Sequence, residues 1–449
     1  MDLCSAGLRA KKNVNKKGIS VAVINHGCKL NQFEGEALEN GFRMAGFNVV
    51  NKKDGGKPDI TIVNTCTVTN KSDRKSRNSI NRAITAKKRQ GLVIVTGCYA
   101  ETNSEEFDKK DGVDLVIGNK IKAALPSIVL SYLYHLPFNE NVNDLSFQFD
   151  SPQKPNRSRV FVKVQDGCSM RCSYCKVPFA RGKSRSRNYE DIVDYVKTVV
   201  RNGYKEIILT GVNLGDYLYN NVNLPRLIDL LLGCERPFRI RLSSIEPFNF
   251  DDNLHDVIGN TRVAPHFHIP LQSGSDRILK LMNRPYSAQS YLDMVRRIRE
   301  ERPESHIATD IIVGFPTESK KDFLETIEVM RSACFASAHV FKYSVRKGTK
   351  AADLKDDVPY DEKVTRSNNV IALRDELNHQ YRKSYLGKIR EAVFEEHGGS
   401  WTGITDNYIR VKIVKGQPLS LEDLSKNILP VKINEVSREV NTGVIIGED

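Results

Sequence analysis

The chain has 449 residues, of which 40% are hydrophobic and 27% charged, with nine cysteines and a formal net charge of +13. That length exceeds one ordinary core and implies two or three domains. No stretch approaches the roughly 18 consecutive apolar residues that a transmembrane helix needs.

The charge is concentrated. Met1 to Lys17 nets +4, Lys71 to Arg89 +7 and Lys154 to Arg187 +9, so the remainder is acidic. Such stretches suit a polyanionic partner, RNA or DNA; a solvated helix face and a flexible linker are the plainer alternative. Met1–Lys17 lacks an apolar segment and does not read as a secretory signal, so a cytoplasmic protein without a membrane anchor is expected. In that compartment nine cysteines ask for metal or catalysis rather than disulfides.

Residues 18–136 alternate strand and helix. Strands are expected at Ile19–Asn25, Asp59–Asn64, Leu92–Thr96 and Val113–Ile117. Helices are expected at Gln32–Ala45, Lys71–Gln90 and Ile121–Tyr132. This pattern predicts an open parallel α/β sheet. Residues 137–157, rich in Asn, Ser, Pro and Asp, read as a linker.

Alternation resumes over 158–384. Strands are expected at Val160–Gln165, Glu206–Thr210, Phe238–Ser243, His266–Leu271, His306–Val313 and Ala336–Tyr343. Helices are expected at Tyr189–Asn202, Arg226–Leu232, Tyr291–Glu301 and Lys320–Arg331. Six such units predict a partial (β/α)6 TIM-type barrel, whose chemistry lies on the loops after the strands. Residues 385–449 carry short strands such as Tyr408–Val414 and Ile428–Val436, and predict a small β-barrel.

Directly after the first barrel strand, Asp166–Arg187 reads DGCSMRCSYCKVPFARGKSRSR. Cys168, Cys172 and Cys175 form C-x₃-C-x₂-C. Iron–sulfur cubes usually take four cysteines; three on one loop leave one iron open. In radical S-adenosylmethionine (SAM) chemistry that position takes the amino and carboxylate groups of SAM. Tyr174 stands where an aromatic can lie beside the adenine. A zinc site with a distant His is the alternative, but zinc ligands usually come as two pairs, and no second pair follows.

Cys28, Cys66 and Cys98 are far apart in sequence, yet each lies just past an expected strand, in VINHGC, IVNTC and IVTGC. The carboxyl ends of parallel strands open on one crevice. Three cysteines there converge without a local motif, and Gly27 and Gly97 let the backbone turn close to a bulky group. Three unrelated core cysteines are the alternative. Cys4, Cys234 and Cys334 share no such placement and read as ordinary residues.

On these residues, roughly 19–449 closely resemble the methylthiotransferase family of radical SAM enzymes. The segments that carry the resemblance are HGCKLNQFEGE, VNTCTVTNKSD, VTGCYAE, the three-cysteine loop, LTGVNLGDY, RLSSIEP, HIPLQSGSDRILKLMNR and DIIVGFPTE. The C-terminal part resembles a TRAM domain, an RNA-binding β-barrel. Within the family, GCKLNQFE and PFARGKSRSR look most like the branch that modifies N6-threonylcarbamoyladenosine 37 of tRNA. A sister branch modifies isopentenyladenosine 37, and a third an aspartate of a ribosomal protein. His26 departs from the usual Leu or Phe before Gly-Cys. A non-catalytic, zinc-stabilised RNA-binding protein is the reading from a different class; it predicts zinc and no SAM cleavage.

The resemblance implies two [4Fe–4S] clusters, one on Cys168, Cys172 and Cys175 and an auxiliary one on Cys28, Cys66 and Cys98. It implies SAM held near Tyr174, Gly211, Asn213, Gly215, Ser243, Glu246, Gln272 and Gly314, with Asp310 a further candidate. One SAM methylates a sulfur on the auxiliary cluster; a second yields a radical that removes hydrogen from C2 of the adenine. The implied partners are the tRNA anticodon loop and an electron donor such as flavodoxin or ferredoxin, and a monomer is expected. Arg181, Lys183, Arg185 and Arg187 are expected to contact phosphates, which position RNA without reading its sequence. The TRAM-like part nets −2, so its RNA grip needs a local patch. Arg410, Lys412 and Lys415 are candidates, with Tyr408 and Trp401 as stacking surfaces, although core packing is the role Trp401 more commonly takes.

Overall fold

A computed structural model describes residues 18–51, 56–108, 110–137, 144–152, 155, 157–397, 400–413 and 427–446. The chain divides into two compact units. One holds the residues up to Pro152 together with Phe179–Gly182; the other holds Gln153–Pro178 and Lys183–Asp449.

The first unit is a five-stranded sheet in the order Asn48–Val49, Ser20–Asn25, Ile60–Thr65, Leu92–Gly97, Leu115–Ile117. Every pairing is parallel. All six residues of Ile60–Thr65 and of Leu92–Gly97 are buried, as central strands covered on both faces require. Helix Lys29–Met44 buries Leu30, Phe33, Ala37, Leu38 and Phe42, the stripe that 3.6-residue periodicity places on one side. Helix Asn70–Ala86 is capped by Thr69, whose hydroxyl accepts from the Ser72 N–H.

In the second unit, two three-stranded parallel sheets form the expected partial barrel. The first runs Arg239–Leu242, Glu206–Thr210, Val160–Lys163. The second runs His266–His268, His306–Val313, Ser337–Lys342. Bridges at Ile240–Val263 and Ser244–His268 join them. Among the described residues, Val160–Lys163 and Ser337–Lys342 pair on one side only, so the barrel has a seam between them.

Alternation along these strands separates two environments. Val160, Val162, Ile207, Leu209, Ile240, Leu242, Ile307 and Ile311 join the apolar core under the helices. The opposite, interior face carries Lys163, Glu206, Arg241, His266, His268, His306 and Asp310. A barrel interior is ordinarily filled by branched apolar side chains. Here it is filled by polar and charged side chains, of which Lys163, Glu206 and Arg241 are buried in ion pairs.

Residues 389–446 supply five strands that close into a barrel: Ile389–His397, Ser400–Thr405, Arg410–Ile413, Asn441–Ile445, Ile428–Val436. Its Thr405–Tyr408 turn seals the floor of the central barrel. Fully buried Arg241 donates to the carbonyls of Thr405 (3.0 Å) and Asp406 (2.9 Å) and to both oxygens of Glu206. The Tyr408 ring stacks on His266 with centroids 4.0 Å apart. Burial alone would raise the Glu206 pKa, but Arg241 and Arg239 hold it far below the usual carboxylate range.

Two expectations need correction, and one helix was missed. The strand from His266 ends at His268, ahead of Pro270, which has no N–H to give a ladder. The first barrel strand breaks at Val164, after which Gln165–Asp166 pairs antiparallel with Arg185–Ser186. Helix Tyr360–Lys383 was not anticipated. Its inward face includes Lys363, Arg366 and Ser367 beside Val370, Leu373 and Leu377, so no apolar stripe announces it. Among the described residues, no helix is long and apolar enough to cross a membrane.

Candidate active site

Cys168, Cys172 and Cys175 lie on the loop that leaves Gln165–Asp166. The Asp166 carboxylate accepts the Gly167 N–H at 2.7 Å, and the Gln165 amide donates to the Gly167 carbonyl at 2.7 Å. The middle of the loop is anchored twice: Ser173 N–H donates to Met282 O and Ala351 N–H to Ser173 O. Burial pushes the Cys168 and Cys175 thiols up to about 12, and Cys172 raises both further. Three thiols that sense one another on one loop suit a metal cluster, which takes thiolates and displaces their protons.

Two residues that sequence reasoning did not single out organise this loop. Buried Arg284 donates to Cys172 Sγ at 3.1 Å and pairs with Glu246. Its signal was an arginine closing the LKLMNR segment. Buried Gln165 accepts from the N–H groups of Val212 (2.8 Å) and Asn213 (3.0 Å). It thereby ties the cysteine loop to the LTGVN loop.

The residues expected around SAM mostly gather at the carboxyl ends of the strands. Ser243 Oγ accepts from Gly211 N–H at 3.3 Å. Asn213 Oδ1 accepts from Gly215 N–H at 3.2 Å, while its buried Nδ2 makes no hydrogen bond of full geometry, although the side chain still acts on the Asp216 carboxylate, whose pKa burial raises and Asn213 lowers. A buried N–H of that kind is what a bound carboxylate satisfies, so the donor set fits SAM as well as a cluster. A Cβ at Gly211 would come within 2.8 Å of Gln165 Oε1. Glu246 is raised by burial despite Arg284, and Asp310 raises it further. Gln272 is buried with φ +67°, and its N–H donates to Asp310 O. Tyr174 packs on the apolar group of Ile278, Met282, Phe315 and Tyr343. Gly314 has φ +68°, its N–H donates to Glu318, and a Cβ there would meet Lys363. Packing on the long helix therefore accounts for Gly314 without any cofactor.

In the first unit, Cys28 follows Ser20–Asn25, Cys66 follows Ile60–Thr65, and Cys98 opens the helix after Leu92–Gly97. These three strands are neighbours and parallel, so all three thiols lie at one edge. Burial pushes Cys66 up to about 11, with Cys28 and Cys98 raising it further. Gly27 and Gly97 have φ of +100° and +95°. A Cβ on Gly27 would lie 2.7 Å from Cys66 Sγ, and one on Gly97 2.4 Å from Thr65 O. Both approaches require glycine. His26 bonds Ser79 Oγ at 2.8 Å, tying this edge to the basic helix.

Beneath these cysteines, Glu34 is buried between two cations. Lys122 Nζ lies 2.7 Å from Oε2, and Arg181 Nη1 2.9 Å from Oε1. Arg181 also donates to Asn31 Oδ1 at 2.6 Å. This corrects the expectation that Arg181 grips phosphate: it is 4% exposed and bound internally. Arg187 is also largely taken up, its guanidinium over the Tyr195 ring and its pKa lowered by burial. Lys183 is exposed and Arg185 half-buried. On the C-terminal barrel, Arg410 and Lys412 point outward on one face, while Lys415 lies outside the described residues. Trp401 is partly buried against the barrel core, and Tyr408 is held in its stack on His266 with Arg241 over its ring, so Tyr408 presents no face for bases.

Residues 162–330 match the radical SAM superfamily, and residues 20–118 match the uncharacterized protein family UPF0004. The threonylcarbamoyladenosine tRNA methylthiotransferase MtaB of Bacillus subtilis is 35% identical, covering 95% of this chain and 96% of its own. That of Aquifex aeolicus is 39% identical, over 88% and 96%. A tRNA-2-methylthio-N(6)-dimethylallyladenosine synthase from Thermodesulfovibrio yellowstonii is 33% identical, over 96% and 99%. Among solved structures, the radical SAM methyltransferase TsrM of Kitasatospora setae, with cobalamin and a [4Fe-4S] cluster bound, superposes with TM-score 0.58 at 14% identity, over 74% and 77%. That likeness speaks for the fold alone. On these similarities, with two separate three-cysteine sets in place, the chain belongs to the methylthiotransferase family of radical SAM enzymes.

Proposed function

We propose that this protein is a tRNA methylthiotransferase that replaces the C2 hydrogen of N6-threonylcarbamoyladenosine 37 with a methylthio group. The observation that carries this reading is the pair of three-cysteine sets, in a chain 35–39% identical to enzymes of that name. In this reading Cys168, Cys172 and Cys175 hold a [4Fe–4S] cluster, and Cys28, Cys66 and Cys98 hold a second. Bound cluster and SAM supply a 5′-deoxyadenosyl radical, the reagent able to take hydrogen from so weakly acidic a carbon.

The chain's own residues bind and orient. Arg284 holds Cys172 and Glu246 in register. The Asn213 amide N–H receives the carboxylate of SAM. Gln165 fixes the loop that presents Asn213, so both donors are placed before SAM arrives. Lys183 and Arg185, with exposed Arg74, Lys75 and Arg82 of the basic helix, supply phosphate contacts. The target base is splayed from the anticodon loop, where unstacking costs least. A cytoplasmic location and a flavodoxin- or ferredoxin-type donor complete the reading.

Partly exposed His268 and Asp310 on the barrel interior favour the threonylcarbamoyl substituent over a dimethylallyl one, which would strip water from them without replacing it. The test is mass spectrometry of tRNA nucleosides from a host without its own methylthiotransferases, expressing this protein or its Cys175→Ala variant. The reading expects the 2-methylthio derivative of threonylcarbamoyladenosine with the intact protein only. The dimethylallyl derivative instead would move the chain to the sister branch. No methylthio nucleoside, from folded and iron-loaded protein, would remove tRNA as the substrate.

A further inference from the structure

The segment Phe179–Gly182 belongs to the first unit, although the rest of that unit ends at Pro152. Its attachment is buried and polar. The Ala180 carbonyl accepts from the side-chain amide of buried Asn119 at 2.7 Å, and the Asn119 backbone N–H donates to Glu101 at 2.7 Å. The Arg181 guanidinium grips both oxygens of Glu34 and reaches Asn31 Oδ1. Asn31 in turn donates to the carbonyls of His26 and Thr65, each at 2.8 Å. Thr65 directly precedes Cys66, so a chain of direct contacts seats the segment beside the cysteine edge.

Phe179 is the exception in this segment. Ala180 is 2% exposed and Arg181 4%, whereas Phe179 is 60% exposed. One exposed apolar side chain needs no explanation by itself. This one is unusual in how it is held. Its chain neighbours are locked by buried hydrogen bonds, so the ring is presented from a fixed seat. Among the described residues, no other ring pairs with it and no cation lies over it. Exposed Tyr360, by contrast, carries Lys342 over its ring at 4.7 Å.

The same unit supplies positive charge. Soon after Cys66 the chain enters helix Asn70–Ala86, on which Lys71, Arg74, Lys75 and Arg82 are exposed. A fixed aromatic ring on a unit with exposed cations suits single-stranded nucleic acid, whose bases stack on flat rings and whose phosphates take cations. A single ring is too small a patch to dock a protein, and it is enough for one base. Splaying a nucleotide out of an RNA loop leaves bases without their stacking neighbours, and an aromatic side chain replaces what they lose. We propose that Phe179 is a stacking platform for a loop base unstacked when the target adenosine is splayed out, with Ala180 and Arg181 as the anchors that set its place. This inference rests on the tRNA reading above.

The test titrates iron-loaded enzyme with an anticodon stem-loop RNA that carries threonylcarbamoyladenosine, at several salt concentrations. Phe179→Ala should raise Kd about fivefold to a hundredfold, the worth of one stacked base. The salt dependence should not change, because no phosphate contact is lost. Phe179→Trp keeps a flat ring and should bind like wild type. Phe179→Leu keeps apolar bulk without the ring and should bind like Phe179→Ala. Iron content and melting temperature equal to those of wild type would show the segment still seated, and Phe179→Leu with Phe179→Trp decide alone if Phe179→Ala does not fold. An unchanged Kd in Phe179→Ala or Phe179→Leu, with wild type binding the RNA, would overturn the platform and leave the tRNA reading standing. A flattened salt dependence in Phe179→Ala would also overturn it, because the loss would then be of phosphate contacts. No RNA binding by wild type would overturn the tRNA reading before any variant is made.

Discussion

Glu34→Gln is the sharpest test of how the first unit is held together. The Glu34 carboxylate accepts from Lys122 and, in a two-pronged pair, from Arg181; all three side chains are at most 2% exposed. The amide keeps the volume and removes the charge, which leaves two cations buried without a counter-ion. Breaking a buried ion pair in this way costs about 3–5 kcal/mol. Trp401, the sole tryptophan, belongs to the second unit, so its fluorescence does not follow this loss. Amide hydrogen exchange on Ile60–Thr65 and Leu92–Gly97 does, and their opening free energy should fall by that amount while the Trp401 transition stays in place. A loss below about 1 kcal/mol would refute the reasoning, since the two cations would then be stabilised by something other than Glu34.

Further outcomes are expected of the proposed chemistry. Cys175→Ala should abolish 5′-deoxyadenosine formation, measured by chromatography of SAM turnover; normal formation would displace that loop as the SAM-cluster site. Cys66→Ala should keep SAM cleavage but lose methylthio product, and retained product would remove the first unit's cysteines from the chemistry. Gly97→Ala forces a side chain into a left-handed position against Thr65 O, a strain of about 1–3 kcal/mol, and iron bound by the first unit should fall in parallel with its melting temperature. Charge reversal at Lys183 and Arg185 together should weaken tRNA binding and flatten its salt dependence by about two phosphate contacts, read from titrations at several salt concentrations. In iron-free protein the thiols at Cys66, Cys168 and Cys175 titrate at about 11, 12 and 12, above the ordinary value of 9.0. Their contribution to stability is complete below pH 9 and lost as pH rises from there toward 12, which pH-dependent denaturant melts would show.

The division into an open parallel sheet, a six-stranded partial barrel and a closed five-stranded barrel was legible, because hydrophobic periodicity and strand spacing are local signals. The Cys168–Cys175 loop was legible for the same reason. Cys28, Cys66 and Cys98 could be grouped only through their shared position after three strands, which becomes proximity once those strands are neighbours. Arg181 was misread because charge in a sequence carries no sign of burial: RGKSRSR looks uniformly exposed, and its first arginine is drawn inward by Glu34, 147 residues away. Tyr408 was misread similarly, since its partner His266 lies in another domain of the sequence. Helix Tyr360–Lys383 stayed hidden because polar side chains occupy part of its inward face. His268 and Asp310, 3.1 Å apart on two strands with no spacing rule between them, meet only because the sheet sets those strands side by side.

The sealed floor of the central barrel fixes the C-terminal module in place. The Thr405–Tyr408 turn is bolted to the barrel through Arg241, Glu206 and His266, and the long helix adds Tyr381, whose hydroxyl donates to the Glu304 carbonyl. The C-terminal module is thus no tethered hand that searches for RNA on a loose linker. It is one end of a stiff gauge, and the span from Arg410 and Lys412 to the cysteine loop is set by the protein rather than by its substrate. Were Arg410 and Lys412 to hold RNA, as the TRAM-like resemblance implies, a nucleotide would be chosen by its distance along the RNA from them, and lengthening the RNA stem by a base pair should shift or abolish modification even when the target base is untouched.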